Sequence, residues 1–212
     1  MLLQLVKKDA LIAKKYAIIA MIFMFVIPLF ILNAAPSAPA FLRLLYTTIL
    51  GELVLMQAIS QEEGRCPKAA SLLCTAPYRR RDIVAARYVF FLLLFVYGYA
   101  AYTLVTWIAD PSGFPNLTSV LGVLLVNTVV FGIYLPIEFK YGLVKAKFIF
   151  IIFILLFSLG PSAFHNLPNI GKIIFLWTAS PAVENLLMAL ASAMIFGLSM
   201  AISVRIFSKK DL

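Results

Sequence analysis

The residues that could do chemistry in this chain are few, and their spacing does not assemble a reactive site. There is one histidine, His165, and there are two cysteines, Cys66 and Cys74. Neither cysteine has a histidine or a second cysteine pair at a metal-binding spacing, so zinc is not indicated. The nine carboxylates stand mostly at the ends of apolar stretches. Because no Ser/His/Asp set or acidic cluster is present, the chain is not expected to be an enzyme.

One acidic residue stands apart because it interrupts an apolar stretch. Glu52 breaks the run 44–61 near its middle. On insertion scales, an ionisable side chain at the centre of a membrane helix costs about 2.5–3.5 kcal/mol of insertion free energy. Gln57, about one turn further along, and Asn127 in a later run are the other polar candidates. Glu52 could belong to a polar patch on a cavity wall or to a dimer contact. It could equally be a protonated acid that is hydrogen-bonded inside a helix bundle.

The elements that must position these residues are membrane-spanning helices. The chain is 63% hydrophobic and 13% charged, and its charged share is about half that of an ordinary soluble domain. Five charge-free runs each have at least 20 residues, which at 1.5 Å per residue cross a hydrocarbon core of roughly 30 Å. With the run around Glu52, they predict six spans, at about 16–34, 42–60, 84–108, 117–136, 147–162 and 182–206.

The basic residues predict the orientation of these spans. When the spans alternate, sixteen of the 18 Lys and Arg residues fall on one side, and only Arg43 and Lys172 fall on the other. Cytosolic loops carry this excess, so both termini are expected in the cytosol. The net charge of +9 then serves orientation and contact with anionic membrane lipid, and no nucleic-acid partner is expected. The predicted fold class is an all-α polytopic membrane protein, N-in and C-in.

Two further helices are expected at the membrane surface. Residues 1–15 gather four lysines on one side and apolar residues on the other, which predicts an N-terminal interfacial amphipathic helix. A plain basic flank before the first span explains the same residues equally well. Between Pro161 and Pro181, a segment too short to span and too apolar for water predicts an outer interfacial helix at about 170–178.

The longest predicted cytosolic loop, 61–87, is also the most patterned. Pro67 suits the first turn of a helix, and Pro77 would end it. A helix at 67–76 is too short to be stable alone in water, so its apolar stripe must lie against a surface. That surface could be a groove on a cytosolic partner, the membrane, or the protein's own helices. The stripe at i, i+3, i+4 and i+7 consists of Ala69, Leu72, Leu73 and Ala76.

Charged residues frame this short helix on both sides. They suit the polar rim of a protein interface, and they suit a solvated loop as well. The framing residues are Glu62, Glu63, Arg79, Arg80, Arg81 and Asp82, and Lys68 belongs to the docking helix itself.

These segments resemble a known family. Glu62–Gly64 followed by Ser71–Val84 is similar to the pattern of bacterial type-2 ABC exporter permeases, which have six membrane helices. Leu135–Gly142 with Lys145–Lys147 resembles a second recurring motif of that family. The resemblance covers essentially the whole chain. In its small size, the chain most resembles permeases that export phenol-soluble modulins and other cytotoxic amphipathic peptides. Cys74-Thr75 departs from the small or apolar residues more often found there but leaves the stripe intact.

The resemblance implies that helix 67–76 is a coupling helix between spans two and three, docked in a cleft of a separate nucleotide-binding ATPase subunit. The chain has no Gly-x-x-x-x-Gly-Lys-Ser/Thr, and its largest cytosolic piece, about 27 residues, is too small for an ATPase domain. No cofactor is therefore expected on this chain, and ATP and Mg²⁺ belong to the partner. A second copy or a related permease would complete a 2+2 assembly in the bacterial cytoplasmic membrane.

Other functions stay open beside export of amphipathic or hydrophobic molecules. A stand-alone secondary transporter or channel is disfavoured by the scarcity of mid-membrane charges and by the lack of visible inverted repeats. An integral-membrane enzyme lacks the residues described above. A non-transporting scaffold or sensor is compatible with the same pattern.

Overall fold

The described part of the chain is built of helices. The computed structural model describes Leu5, Phe148 and the ranges 14–34, 39–65, 80–109, 114–142 and 181–208. Within these residues the chain forms five α-helices and no strand, which confirms the predicted helical class. In chain order they are α1 (Lys14–Ala34), α2 (Ala40–Arg65), α3 (Arg80–Ala109), α4 (Leu117–Tyr141) and α5 (Pro181–Ser208).

Four of these helices are long and apolar enough to cross a membrane. The qualifying stretch of α2 is Ala40–Ile59, and those of α3, α4 and α5 cover almost the whole helix. In α1 the corresponding apolar stretch is shorter, Met21–Asn33. Each of these helices contains one of the predicted spans.

Several predicted elements lie outside the described residues. They are the fifth span at 147–162, the coupling helix at 67–76, the outer interfacial helix at 170–178 and most of the N-terminal helix at 1–15. Leu5 alone represents that last segment, and it is 3% exposed and belongs to the hydrophobic core.

Helix α2 forms the centre of the bundle. It packs against α1, α3 and α4, and side chains around most of its circumference are buried. A helix surrounded by other helices can carry polar side chains that a lipid-facing helix could not. Its fully buried apolar side chains are Leu44, Leu53, Leu55, Met56 and Ile59.

Small residues allow the first three helices to approach closely. Met24 of α1 is fully buried against Gly51 of α2, where a Cβ would collide with the Met24 side chain. Gly98 of α3 faces Thr48 of α2, and a Cβ there would lie 3.2 Å from Thr48 Cγ2. Close backbone approach at small residues is the usual way in which membrane helices gain packing contacts.

Pairs of contacts define the relative directions of the inner helices. Phe41 and Thr48 of α2 meet Gly122 and Asn127 of α4 in the same order along both chains, so α2 and α4 are parallel. By contrast, Phe91 of α3 contacts Phe131 of α4, while Arg87, earlier in α3, pairs with the later residue Glu138. Helices α3 and α4 are therefore antiparallel.

Helix α5 is parallel to α4, its most extensive neighbour. Ser199 bonds the backbone of Gly132 at 2.8 Å, and the rings of Phe207 and Phe139 lie 5.5 Å apart further along both helices. The connection 143–180 therefore joins opposite ends of two parallel helices. Away from α4 and α3, α5 exposes a row of apolar side chains that includes Leu190, Met194 and Leu198.

Candidate functional site: buried polar groups and the docking flanks

The flanks of the predicted docking segment are helix ends. Glu62 and Glu63 lie in the last turn of α2, and Arg80, Arg81 and Asp82 form the first turn of α3. Arg81 is exposed and Asp82 is half-buried. Asp82 is the acidic residue of that first turn, where a negative charge interacts favourably with the helix dipole.

These two helix ends lie at the same end of the bundle. Helix α3 is antiparallel to α4, and α2 is parallel to α4. The C-terminal end of α2 and the N-terminal end of α3 therefore lie on the same side of the bundle. The predicted docking residues between them lie outside the described residues: Pro67, Lys68, Ala69, Leu72, Leu73, Ala76, Pro77 and Arg79.

Glu52 lies inside the bundle, midway along α2. Its side chain is 0% exposed, and neither carboxyl oxygen has a hydrogen-bond partner among the described residues. Thr48 stands one turn earlier on the same face of α2, since residues four apart are neighbours on a helix. Gln57, the other polar candidate on this helix, is half-buried.

Asn127 joins α4 to α2 one turn from Glu52. Its Nδ2 donates a hydrogen bond to Thr48 Oγ1 at 2.9 Å, and the Thr48 hydroxyl in turn donates to Leu44 O at 3.0 Å. Asn127 is 0% exposed, and within the described ranges its Oδ1 accepts no bond. The fold thus brings Glu52 and Asn127, recognised separately in the sequence, to neighbouring positions around Thr48.

A second polar cluster, which the sequence reasoning missed, joins three helices. The hydroxyl of Tyr88 on α3 lies 2.6 Å from Ser199 Oγ and 2.8 Å from Ser203 Oγ on α5. Ser199 Oγ also donates to the carbonyl of Gly132 on α4 at 2.8 Å. The signal in the sequence is the four-residue spacing of Ser199 and Ser203, which places two hydroxyls on one face of an apolar helix.

An ion pair lies beside this cluster. Arg87 Nη2 of α3 is 3.7 Å from Glu138 Oε1 of α4, and the two side chains are 7% and 10% exposed. From the sequence, Arg87 is only one of the basic residues that predict orientation, although it stands well inside α3. Removing one partner of a buried ion pair typically costs about 3–5 kcal/mol.

The chemistry of these groups is that of helix association. Amide, hydroxyl and ionic contacts join α2 to α4, α3 to α4, and α5 to both α3 and α4. Among the described residues, no three His, Cys, Asp or Glu side chains come together to hold a metal ion.

Among the comparisons with known proteins, a family model matches nearly the whole chain. No curated protein and no solved structure matches it significantly. A family model described as "ABC-2 family transporter protein" matches residues 4–208, which include all five described helices. The apolar helices agree with that match and make the chain a multi-pass membrane protein. The chain therefore belongs to the ABC-2 family of transporter proteins, as a membrane permease subunit rather than a catalytic one.

Proposed function

We propose that this chain is the transmembrane subunit of an ATP-driven exporter, powered by a separate ATPase subunit that docks on the segment 67–76. The single observation that carries the proposal is the family match over residues 4–208. Permeases of this family generally work with an ATPase subunit. The sequence itself has no phosphate-binding loop, so hydrolysis must take place on that partner.

The arrangement of the helix ends supports this docking position. The end of α2 and the start of α3 face the same side, and the segment 66–79 connects them. A partner that pushes on this connection acts directly on two helices, one of which is the central helix α2.

The parallel pair α4 and α5 supports six spans with both termini in the cytosol. The segment 143–180 has to reach from the C-terminal end of α4 to the opposite end of the bundle, where α5 begins. One further crossing satisfies this requirement, and the fifth predicted span falls within that segment. The orientation follows the basic residues, in the bacterial cytoplasmic membrane.

The packed interior of the bundle supports an assembly of two permeases. Large side chains such as Phe91, Phe131, Tyr102 and Tyr134 are at most 1% exposed and fill the space between the described helices. We therefore propose that the substrate passes between two copies of this chain, or between this chain and a related permease. The substrate class that we propose is amphipathic or hydrophobic molecules, above all cytotoxic peptides such as phenol-soluble modulins.

Co-purification with the ATPase tests the docking position. The adjacent reading frames are first searched for a soluble P-loop protein, which is then co-expressed with this chain and captured through a tag. Leu72→Asp and Leu73→Asp place a charge in the apolar stripe and are expected to reduce capture at least tenfold. Ser71→Asp is the matched control, because at 100° per residue it lies on the opposite side of the same helix. Full capture by both stripe variants would exclude this docking surface.

Growth in the presence of peptide tests the activity. Cells that express both subunits are expected to survive higher concentrations of an amphipathic phenol-soluble modulin than cells whose ATPase lacks its P-loop lysine. Equal protection by the two strains would favour a stand-alone transporter. No protection by either strain would contradict export of this peptide class.

A further inference from the structure

A proline interrupts the backbone hydrogen bonding of α4. Pro136 lies inside the helix and has no N–H, so the carbonyl of Gly132, four residues earlier, lacks the bond that it would receive from residue 136 in a regular α-helix. A carbonyl without a donor is strongly disfavoured inside a membrane, where water cannot replace the missing group. A side chain of a neighbouring helix is one group that can supply the donor.

The missing donor comes from α5. Ser199 Oγ donates to Gly132 O at 2.8 Å, in place of the N–H that Pro136 lacks. Ile195 and Ser199 pack directly over Gly132, 3.5 and 3.6 Å from where a Cβ would stand, which is ordinary van der Waals contact. Ser199 thereby completes the hydrogen bonding of a helix to which it does not belong.

The hydroxyl groups around Ser199 form a chain with a fixed direction. Each hydroxyl carries one proton, and that of Ser199 goes to Gly132 O. Tyr88 must then donate to Ser199 over 2.6 Å, and Ser203 must donate to Tyr88 over 2.8 Å. The hydrogen bonds run from Ser203 through Tyr88 and Ser199 to Gly132, so that loss of the Tyr88 hydroxyl breaks the chain at its middle.

Helix α3 also holds α4 on the other side of the proline. Glu138, two residues after Pro136, pairs with Arg87, and Arg87 is the neighbour of Tyr88 in sequence. Two consecutive residues of α3 thus act on the two sides of the same interruption. They lie about two turns, roughly 10–12 Å, from the first residue of α3, Arg80.

We propose that the turn Gly132–Pro136 is a hinge in α4, that the Ser199 hydroxyl latches it, and that Arg87 and Tyr88 transmit movement of the start of α3 to it. A helix bends most readily where a proline has removed a backbone bond, and here one side-chain hydroxyl decides whether the freed carbonyl is satisfied. The latch depends on the described contacts alone. The source of the movement, an ATPase that acts on the start of α3, rests on the proposed function.

The latch is tested by combining two substitutions. Ser199→Ala removes the donor to Gly132 and is expected to lower the melting temperature of the protein in nanodiscs by about 2–4 °C. Pro136→Ala restores an N–H that can bond Gly132 O, so the same serine substitution should cost less than half as much in that background. Equal losses in the two backgrounds would overturn the latch.

Ser192→Ala is the matched control for this experiment. Ser192 lies on the same helix, but its hydroxyl donates to Ala189 O of its own backbone at 2.8 Å. Its removal should therefore have the same effect whether residue 136 is proline or alanine.

Transmission is tested in the complex with the ATPase by electron-paramagnetic distance measurement. Spin labels at Lys140→Cys and Ser208→Cys, both exposed positions, follow the ends of α4 and α5 in a background without the native cysteines. Trapping with ATP and vanadate is expected to shift the label distance by several ångströms. Tyr88→Phe and Pro136→Ala should each reduce the shift to less than half, and Ser192→Ala should leave it unchanged.

The outcomes separate this inference from the proposed function. An unchanged shift in Tyr88→Phe and Pro136→Ala, or no shift in the unsubstituted complex, overturns the hinge while capture by the ATPase stays normal. Failure of the proposed function is recognised differently, by the absence of any stable complex with the P-loop protein.

Discussion

Glu52 holds two carboxyl oxygens in the centre of the bundle where no described residue offers a hydrogen bond. Burial of a polar group without a partner costs about 1–3 kcal/mol by mutational measures, and a charge costs more. A leucine of similar size would avoid this cost. A role of Glu52 in the working cycle therefore stays a prediction, and it has to be tested separately from the effect of this acid on the stability of the resting bundle.

Substitution of Glu52 separates these two roles. Glu52→Leu is expected to raise the melting temperature by about 2–4 °C, because it removes an unsatisfied buried group. Glu52→Gln is expected to lower export-coupled ATP turnover without loss of assembly. Val54→Leu, on an exposed position two residues away, is the control and should change neither quantity. Unchanged transport in Glu52→Gln would retire the functional interpretation.

The bond between Asn127 and Thr48 makes a separate prediction. Asn127→Leu and Thr48→Val each remove one partner of the same interhelical hydrogen bond, which is worth about 0.6 kcal/mol on average in membrane proteins and at most about 1.7. The double variant is therefore expected to be more stable than the sum of the two single losses implies. Equilibrium unfolding in mixed micelles measures the three variants, and strictly additive losses would contradict a direct bond.

The sequence could identify some of these residues and not others. Glu52 and Asn127 are visible because a lone carboxyl or amide interrupts an apolar run. The spacing of Ser199 and Ser203 places both hydroxyls on one helix face, but it does not show that Ser199 joins two helices, because a serine or threonine in a membrane helix can also bond its own backbone, as Ser192 and Thr106 do. Only the neighbouring helix decides which hydroxyl joins two helices, and that information is absent from the run itself.

At the scale of the elements, the packing of α1 on α2 includes one close match of shape. Met24 fills the space that Gly51 leaves open, and no side chain could be added to Gly51 without displacing it. A flexible methionine against a glycine produces a close contact without any polar group. This contact also reaches α3, since the Met24 sulfur is near Gly98.

This match predicts compensation between the two helices. Gly51→Ala is expected to lower the melting temperature because its new methyl collides with Met24, and Met24→Ala should do so because it leaves a cavity. The double variant should lose less than the two single losses combined, since the new methyl then occupies part of the vacated space. Gly197→Ala is the control: it has open space around it and should be neutral or slightly stabilising. Additive losses at Gly51 and Met24 would argue against the contact.

The positions of the helices were predictable, but their neighbours were not. The membrane sets the length, the hydropathy and the basic flanks of a span. These features therefore recur in every span, independently of which helices pack against it. Partner choice depends on local shape, as at Gly51 and Met24, and apolar runs such as α4 carry no one-sided stripe from which to predict it. The central position of α2 has a physical hint in its polar residues, Thr48 and Glu52 among them.

At the scale of the whole molecule, the direction of the helices is the main result. Helices α2, α4 and α5 run one way and α3 runs the other, which agrees with the alternation that the basic residues predict for spans two, three, four and six. The charges can predict the direction of a span because they act outside the hydrocarbon, independently of packing. They could not establish that α5 lies against α4.

Thiol labelling tests the complete topology. The native Cys66 and Cys74, the only cysteines of the chain, are expected to react with a membrane-impermeant maleimide in inverted vesicles and not in intact cells. In a cysteine-free variant, Asn169→Cys should react in intact cells and Ser208→Cys only in inverted vesicles. Labelling of positions 169 and 208 from the same side of the membrane would contradict the sixth span. Labelling of position 169 and Cys66 from the same side would contradict the fifth span.

The central position of α2 has a consequence for how the chain is made. Among the four membrane-crossing stretches, that of α2 is the least hydrophobic and the most enclosed by protein. Asn127, the hydrogen-bond partner of Thr48 on α4, is synthesised 79 residues after Thr48. Helix α2 is therefore poorly suited to lipid until α4 has left the ribosome. We expect the translocon to retain α2, and to release α1 to α4 into the bilayer as one group.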